Sequence, residues 1–245
     1  IHAIHAAAVD FGMARCALAA LDMALWDLRA KEAGMPLYRL LGLSRRAVPT
    51  SLTIGINTPD IARDRSLHAV SLGAKALKVK LGSPQGIEAD QAMFDAVKAV
   101  VADRTDIVLR VDANGGWSLP DARRMMGWLS ERGVEYVEQP LRRGAEDELP
   151  ELFRDRALPI YVDESCRVAA DVPRLADRVD GVNLKLMKCG GITEALRIVA
   201  TARAHGLKTM IGCMGERSIS IAAGAALSEL FDHIDLDSHL NLDPD

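Results

Sequence analysis

A TIM-type (β/α)7β barrel of the α/β class is the fold this sequence predicts. Three observations carry it: short runs rich in Val, Ile and Leu, a helical rhythm after each run, and a spacing of roughly 26 residues between runs, enough for one strand, one helix and two loops. Eight runs fit the pattern, and the chain has 245 residues. A closed barrel of eight such units typically takes about 250 residues. An open doubly wound sheet would instead place a glycine-rich phosphate turn after its first strand. SLTIGINTPD (51–60) contains none.

The chain opens on IHAIHAAAV, without an initiator Met or a basic leader, so the start reads as a cut rather than a natural terminus. His2 and His5 could share a helix face, but no partner cluster suggests that they bind metal. From Ala14, apolar residues recur at Leu18, Leu21, Leu25 and Leu28, and the pattern stops at Gly34 with Pro36 beyond, which predicts one long amphipathic helix. The predicted strands follow in order: SLTIGI (51–56), ALKVKL (76–81), IVLRVD (107–112), VEYVE (134–138), PIYVD (159–163), VNLKL (182–186), KTMIG (208–212) and HIDLD (233–237). Gly73, Gly133 and Gly206 each sit shortly before the next strand and read as helix stops.

Composition narrows the function classes. With 49% hydrophobic and 26% charged residues the chain can bury a full core, and a net charge of −4 without a basic block gives nucleic acid or an anionic membrane no footprint. No apolar run is long enough to span a bilayer. Cys16, Cys166, Cys189 and Cys213 lie far apart with no CxxC, which argues against zinc or a disulfide framework and points to a reducing, cytoplasmic setting. The expected partner is a small molecule, and nothing in the sequence decides whether the protein is a homo-oligomer.

In such a barrel, chemistry is expected at the C-terminal strand ends. Those ends carry, in order, Lys80, Asp112, Glu138, Asp163 and Lys185; the seventh run leads to Glu216 and the eighth carries Asp235 and Asp237. Asp112, Glu138 and Asp163 come from adjacent strands with no His or Cys, an all-oxygen set that suits a hard cation, Mg2+ before Mn2+. Separate salt bridges to Arg110 or Arg167 are the alternative. Strands two and six are four apart in a ring of eight, so Lys80 and Lys185 are expected to face each other across the mouth. Lys78, two residues before Lys80 and therefore roughly 6.6 Å from it on the same face, would depress its pKa. Lys188 could serve Lys185 similarly or be exposed to solvent. Opposed bases beside a carboxylate-bound cation suit removal of a proton α to a carboxylate and its return from the other face, with inversion at carbon.

KVK, VDAN, VEQP, VDES and NLKLMKCGG, in this order and on these strands, resemble the enolase superfamily, in particular its muconate lactonizing enzyme subgroup. The resemblance runs from AALDMALWDLRAKEAGMPLYRLLG to the last strand. It implies Lys80 and Lys185 as the acid/base pair, Asp112, Glu138 and Asp163 as Mg2+ ligands, and Asn114 of VDAN as a further candidate. It further implies that residues 1–48 are the helical end of a capping region with its linker and that residues 49–245 are the catalytic barrel. The cap sheet and a C-terminal return segment are expected to be absent from this chain. The subgroup spans cycloisomerases, o-succinylbenzoate synthases, N-acylamino acid racemases and dipeptide epimerases. The DxD of HIDLD, Asp235 and Asp237, resembles the element with which dipeptide epimerases, such as those acting on L-Ala-L-Glu, hold the substrate's ammonium group, and GCMGE with Glu216 looks like the same branch. Epimerisation of a dipeptide is therefore the expected activity. N-acylamino acid racemase, o-succinylbenzoate synthase and a catalytically silent binding barrel are the alternatives.

Overall fold

The computed structural model describes residues 1–245. Eight strands, β1 (Leu52–Ile54), β2 (Ala76–Lys80), β3 (Val108–Asp112), β4 (Val134–Glu138), β5 (Ile160–Val162), β6 (Gly181–Lys185), β7 (Lys208–Gly212) and β8 (His233–Asp235), follow one another in a single sheet in chain order. That is the strand order of a (β/α)7β barrel; seven predicted runs contain their strands, and β6 begins one residue before its run, at Gly181. The helices are α1 (His2–Asp10), α2 (Arg15–Glu32), α3 (Leu37–Leu40), α4 (Pro59–Ser71), α5 (Ile87–Val100), α6 (Leu119–Ser130), α7 (Leu149–Arg154), α8 (Leu186–Cys189), α9 (Ile192–Ala204) and α10 (Ser218–Ala225). None is long and apolar enough to cross a membrane. The chain divides into two compact units, one of residues 49–165 with 175–181, the other of residues 1–48, 166–174 and 182–245.

The first of these units holds β1 to β5. Its strands are parallel, with Leu77 opposite Leu52 and Leu109, and Val111 opposite Val79. Strands covered on both faces read as near-continuous apolar runs, and in β2 only Lys80 escapes full burial. Helix α6 shows how the flanks form. Ser118 caps it by accepting the Asp121 N–H at 3.3 Å, Pro120 sits in its first turn, and Ala122, Met125, Met126 and Leu129 make the buried stripe.

The other unit holds β6 to β8 with the N-terminal helices. Here α2 packs on the turn between α8 and α9. Asp22, 1% exposed, accepts the Thr193 N–H at 2.9 Å and the Thr193 hydroxyl at 2.6 Å, so it caps α9 from a distant part of the chain. The Trp26 indole donates to the same hydroxyl at 3.0 Å. Gly191 has φ +106°, and a Cβ there would stand 2.5 Å from Asp22 Oδ2, so the paired glycines of KCGG leave room for α2.

Two expectations need correction. β5 is followed by a 3-10 helix, Ala169–Arg174, and not an α-helix, because Pro173 falls inside the turn and withholds an N–H. Leu28 continues the helical period of α2 but is 51% exposed, whereas the buried positions are Leu18, Ala19, Asp22 and Ala30. The helix is anchored through a carboxylate as well as an apolar stripe, which a hydrophobic period does not report.

Candidate active site

Strand register brings the candidates of the first unit together. Lys80 is the Cα partner of Asp112, and Asp112 is the partner of Glu138, so three strand ends bring charged side chains to one level. Asp163 follows β5, whose Tyr161 is opposite Glu138. The Lys80 ammonium donates to Asp112 Oδ2 at 2.5 Å and retains 22% side-chain exposure, the only opening in an otherwise buried group. Lys78 is fully buried, with its Nζ 2.7 Å from Glu138 Oε2 and 3.2 Å from Asp112 Oδ2. The lysine pair of ALKVKL therefore points inward, as the period of two requires. Lys78 also pairs with two carboxylates, so its charge at Lys80 is offset in part by Asp112 and Glu138.

The carboxylates differ in their electrostatics. Burial opposes ionisation of Asp112, but the charges of Lys78 and Lys80 and the Lys80 hydrogen bond outweigh it and hold the carboxyl below its usual range. Glu138 is pushed up to about 7 by burial first, then by the charges of Asp112 and Asp163, which together exceed the attraction of the lysines. As the side chains stand, no three His, Cys, Asp or Glu close on a common point; Asp112 is turned onto the lysines. Arg110, the alternative partner, donates to Glu135 at 2.8 Å and to Ser51 at 2.9 Å.

Backbone and amide groups orient these carboxylates. Asn114 is exposed, and its backbone N–H, rather than its side chain, donates to Asp112 Oδ1 at 2.9 Å from a residue with φ 49°. Gln139, the residue after Glu138, was not singled out by the sequence. It is 2% exposed with φ 39°. Its Oε1 accepts the Asp163 N–H at 2.8 Å, while its Nε2 donates to the Leu141 carbonyl at 2.7 Å and to Ser165 Oγ at 3.0 Å. One amide thus ties the end of β4 to that of β5. A buried, non-glycine residue with positive φ is the signal, and it is visible only in three dimensions.

The remaining candidates belong to the other compact unit. Lys185 ends β6 and is 7% exposed. Gly212 ends β7, and a Cβ there would lie 3.2 Å from Lys185 Cε and 2.9 Å from Asn183 Nδ2, so the missing side chain leaves space for the lysine stem. Lys188 is half-buried and folds back, donating to the Asn183 carbonyl at 3.0 Å. Asp235 is opposite Gly212 in register; Asp235 and Asp237 are 5% and 6% exposed. Cys213 contacts Asp237 at 4.0 Å, and its thiol is pushed up by burial, with both aspartates adding to the shift. Glu216 is occupied locally: one oxygen accepts the Met214 N–H of its own loop at 2.8 Å and the other accepts the hydroxyl of Ser220 in the first turn of α10.

Comparison with known proteins shows the family to which the chain belongs. The model of the mandelate racemase / muconate lactonizing enzyme N-terminal domain matches residues 2–42, and that described as enolase C-terminal domain-like matches residues 62–243. A hydrophobic dipeptide epimerase of Roseobacter litoralis is 73% identical over 234 residues, covering 96% of this chain and 68% of the relative. A hydrophobic dipeptide epimerase of a Flavobacteria bacterium is 58% identical, covering 94% and 66%. The crystal structure of the Enterococcus faecalis dipeptide epimerase complexed with Mg and the dipeptide L-Leu-L-Tyr is similar with a TM-score of 0.87 at 39% identity, covering 93% of this chain and 65% of that one. The chain thus spans about two thirds of the length of these relatives. Matched over most of its length by these family models and relatives, the chain belongs to the mandelate racemase and muconate lactonizing enzyme family of the enolase superfamily.

Proposed function

We propose that the protein is a Mg2+-dependent dipeptide epimerase, an isomerase that inverts the α carbon of the dipeptide's C-terminal residue by 1,1-proton transfer. The observation that carries the reading is the register that brings Lys80, Asp112 and Glu138 to one level at three adjacent strand ends. A cation fits this place: the donors are all carboxylate oxygens, they are buried, and Asp112 and Asp163 both raise Glu138 through repulsion that a cation relieves. Asp112, Glu138 and Asp163 would hold Mg2+, which when bound supplies positive charge opposite the substrate carboxylate. The names of the two relatives above support a dipeptide with apolar side chains as the substrate class.

In this reading Lys80 and Lys185 act from opposite faces of the α carbon. One amine takes the α proton, and the C–H electron pair enters the substrate's carboxyl group as an enediolate. The other lysine, as ammonium, returns a proton to the opposite face, so the C–H bond is restored with inversion and no net proton is consumed. An unperturbed lysine at pH 7 costs about 4.6 kcal/mol to present as free amine, so a nearby positive charge is part of the mechanism. Asp235 and Asp237 bind the dipeptide ammonium. Lys78 holds Asp112 and Glu138 in place, and Glu216 shapes the loop after β7. We assign residues 1–48 to the capping region and its linker, and residues 49–245 to the barrel.

The test is incubation of the full-length protein with Mg2+ and a dipeptide library in D2O, read by mass spectrometry. Deuterium at the α carbon of C-terminal residues, with formation of the other epimer, is the expected result. Absence of exchange from every dipeptide would refute the reading and favour a silent binding barrel. Racemisation of N-succinyl amino acids alone would favour an N-acylamino acid racemase.

A further inference from the structure

Asp90, on α5, is 1% exposed, and none of the ion pairs described above engages it. Three N–H groups converge on its carboxylate: Gly82 N and the Trp117 indole on Oδ2, each at 2.9 Å, and Ser83 N on Oδ1 at 2.9 Å. These donors come from two different loops, the one that follows Lys80 and the one that follows Asp112. The loops touch backbone to backbone. Gly82 has φ +87°, and a Cβ there would stand 2.2 Å from the Ala113 carbonyl oxygen; a Cβ on Gly116 would stand 2.5 Å from Gly82 Cα. Leu81 N donates to the Asp112 carbonyl at 2.7 Å between them.

We propose that Asp90 is a positioning residue for Lys80. Hydrogen bonds to an ionised acceptor are about twice as strong as neutral ones, and here one carboxylate fixes the residues immediately after Lys80 against the strand end that carries Asp112. The backbone of Leu81 and Gly82 then has little freedom, and the lysine stem is aimed from a fixed base. Lys185 belongs to a different strand and has no such tie to Asp90. The inference rests on the two-lysine reading above and deepens it: loss of Asp90 falls on one base and spares the other.

The experiment measures α-proton exchange with D2O separately from L-Leu-L-Tyr and L-Leu-D-Tyr, using full-length protein with Mg2+. Asp90→Asn turns a donor amide toward at least one of the three N–H groups, and Trp117→Phe removes one donor while leaving the acid. For Asp90→Asn, exchange from the epimer whose proton faces Lys80 should fall by between about 10- and 100-fold, the scale of a displacement near 1 Å, while exchange from the other epimer changes little. Trp117→Phe should show the same asymmetry at smaller size, and it carries the test if Asp90→Asn fails to fold. Equal losses from both epimers, or none, would overturn the positioning role. Failure of the parent protein to exchange either epimer would instead overturn the two-lysine reading.

Discussion

Replacement of Asp22 by alanine tests whether α2 is held by a buried cap or by apolar contact alone. The side chain accepts two hydrogen bonds from Thr193, the N–H at 2.9 Å and the hydroxyl at 2.6 Å. Hydrogen bonds to a charged group contribute about 1.5–3 kcal/mol each. Truncation also relieves the cost of burying the carboxylate, and Trp26 still donates to the same hydroxyl. The net loss expected is about 2–4 kcal/mol, at or above the upper end for helix caps. For a chain of this size that corresponds to a fall in Tm of roughly 4–16 °C. The assay is calorimetry together with Trp26 fluorescence, because the indole belongs to the same contact. Gly191→Ala serves as the companion, since its Cβ would meet Asp22 Oδ2 at 2.5 Å. Both variants break one contact, so the double variant should lose less than the sum of the singles. A loss below about 0.5 kcal/mol for Asp22→Ala, the range of neutral surface changes, with unchanged fluorescence, would refute the capping argument.

Two further predictions concern the site. Glu138 is raised from 4.5 to about 7, so the folded protein keeps this proton where the unfolded chain has released it, and stability from this group falls as pH rises through that window. Melting without Mg2+ should therefore show a loss on the order of 3 kcal/mol between about pH 5 and pH 8. Glu138→Gln should flatten the slope, and Mg2+ should offset it in the parent protein only; an unchanged slope in the variant would assign the titration elsewhere. Asp235→Asn removes one charge from the proposed ammonium site and should lower kcat/KM for dipeptides by about 10- to 100-fold, the scale of a charged hydrogen bond. Unaltered dipeptide kinetics would move the ammonium site away from β8 and strengthen the N-acylamino acid alternative.

What could be read from the sequence divides along a physical line. A parallel strand alternates faces with period two and ends at the barrel mouth, so Lys78, Lys80, Asp112, Glu138 and Lys185 could be located from the runs alone. The strand order followed from the same rhythm. Asp90, Gln139 and Gly212 were not legible in this way. Asp90 lies on a helix and acts on two loops, Gln139 works through a backbone twist, and Gly212 matters through the side chain it lacks. The partner of Lys78 was also hidden: spacing placed it beneath Lys80, but only side-chain geometry shows it bonded to Asp112 and Glu138. Glu216 reads in the sequence as a charge at the mouth, yet its oxygens are engaged by Met214 N in its own loop and by Ser220 Oγ on α10.

Stereospecific exchange in single-lysine variants tests the central claim most directly. Full-length Lys80→Ala and Lys185→Ala, each with Mg2+, are incubated in D2O with the two epimers of one hydrophobic dipeptide, and deuterium at the α carbon is followed by mass spectrometry. Neither variant should interconvert the epimers. Each should still exchange the α proton of one epimer, and the two variants should retain opposite epimers, because the surviving lysine reaches only its own face. Normal epimerisation by both variants, or retention of the same epimer by both, would contradict the assignment of Lys80 and Lys185 as opposed bases.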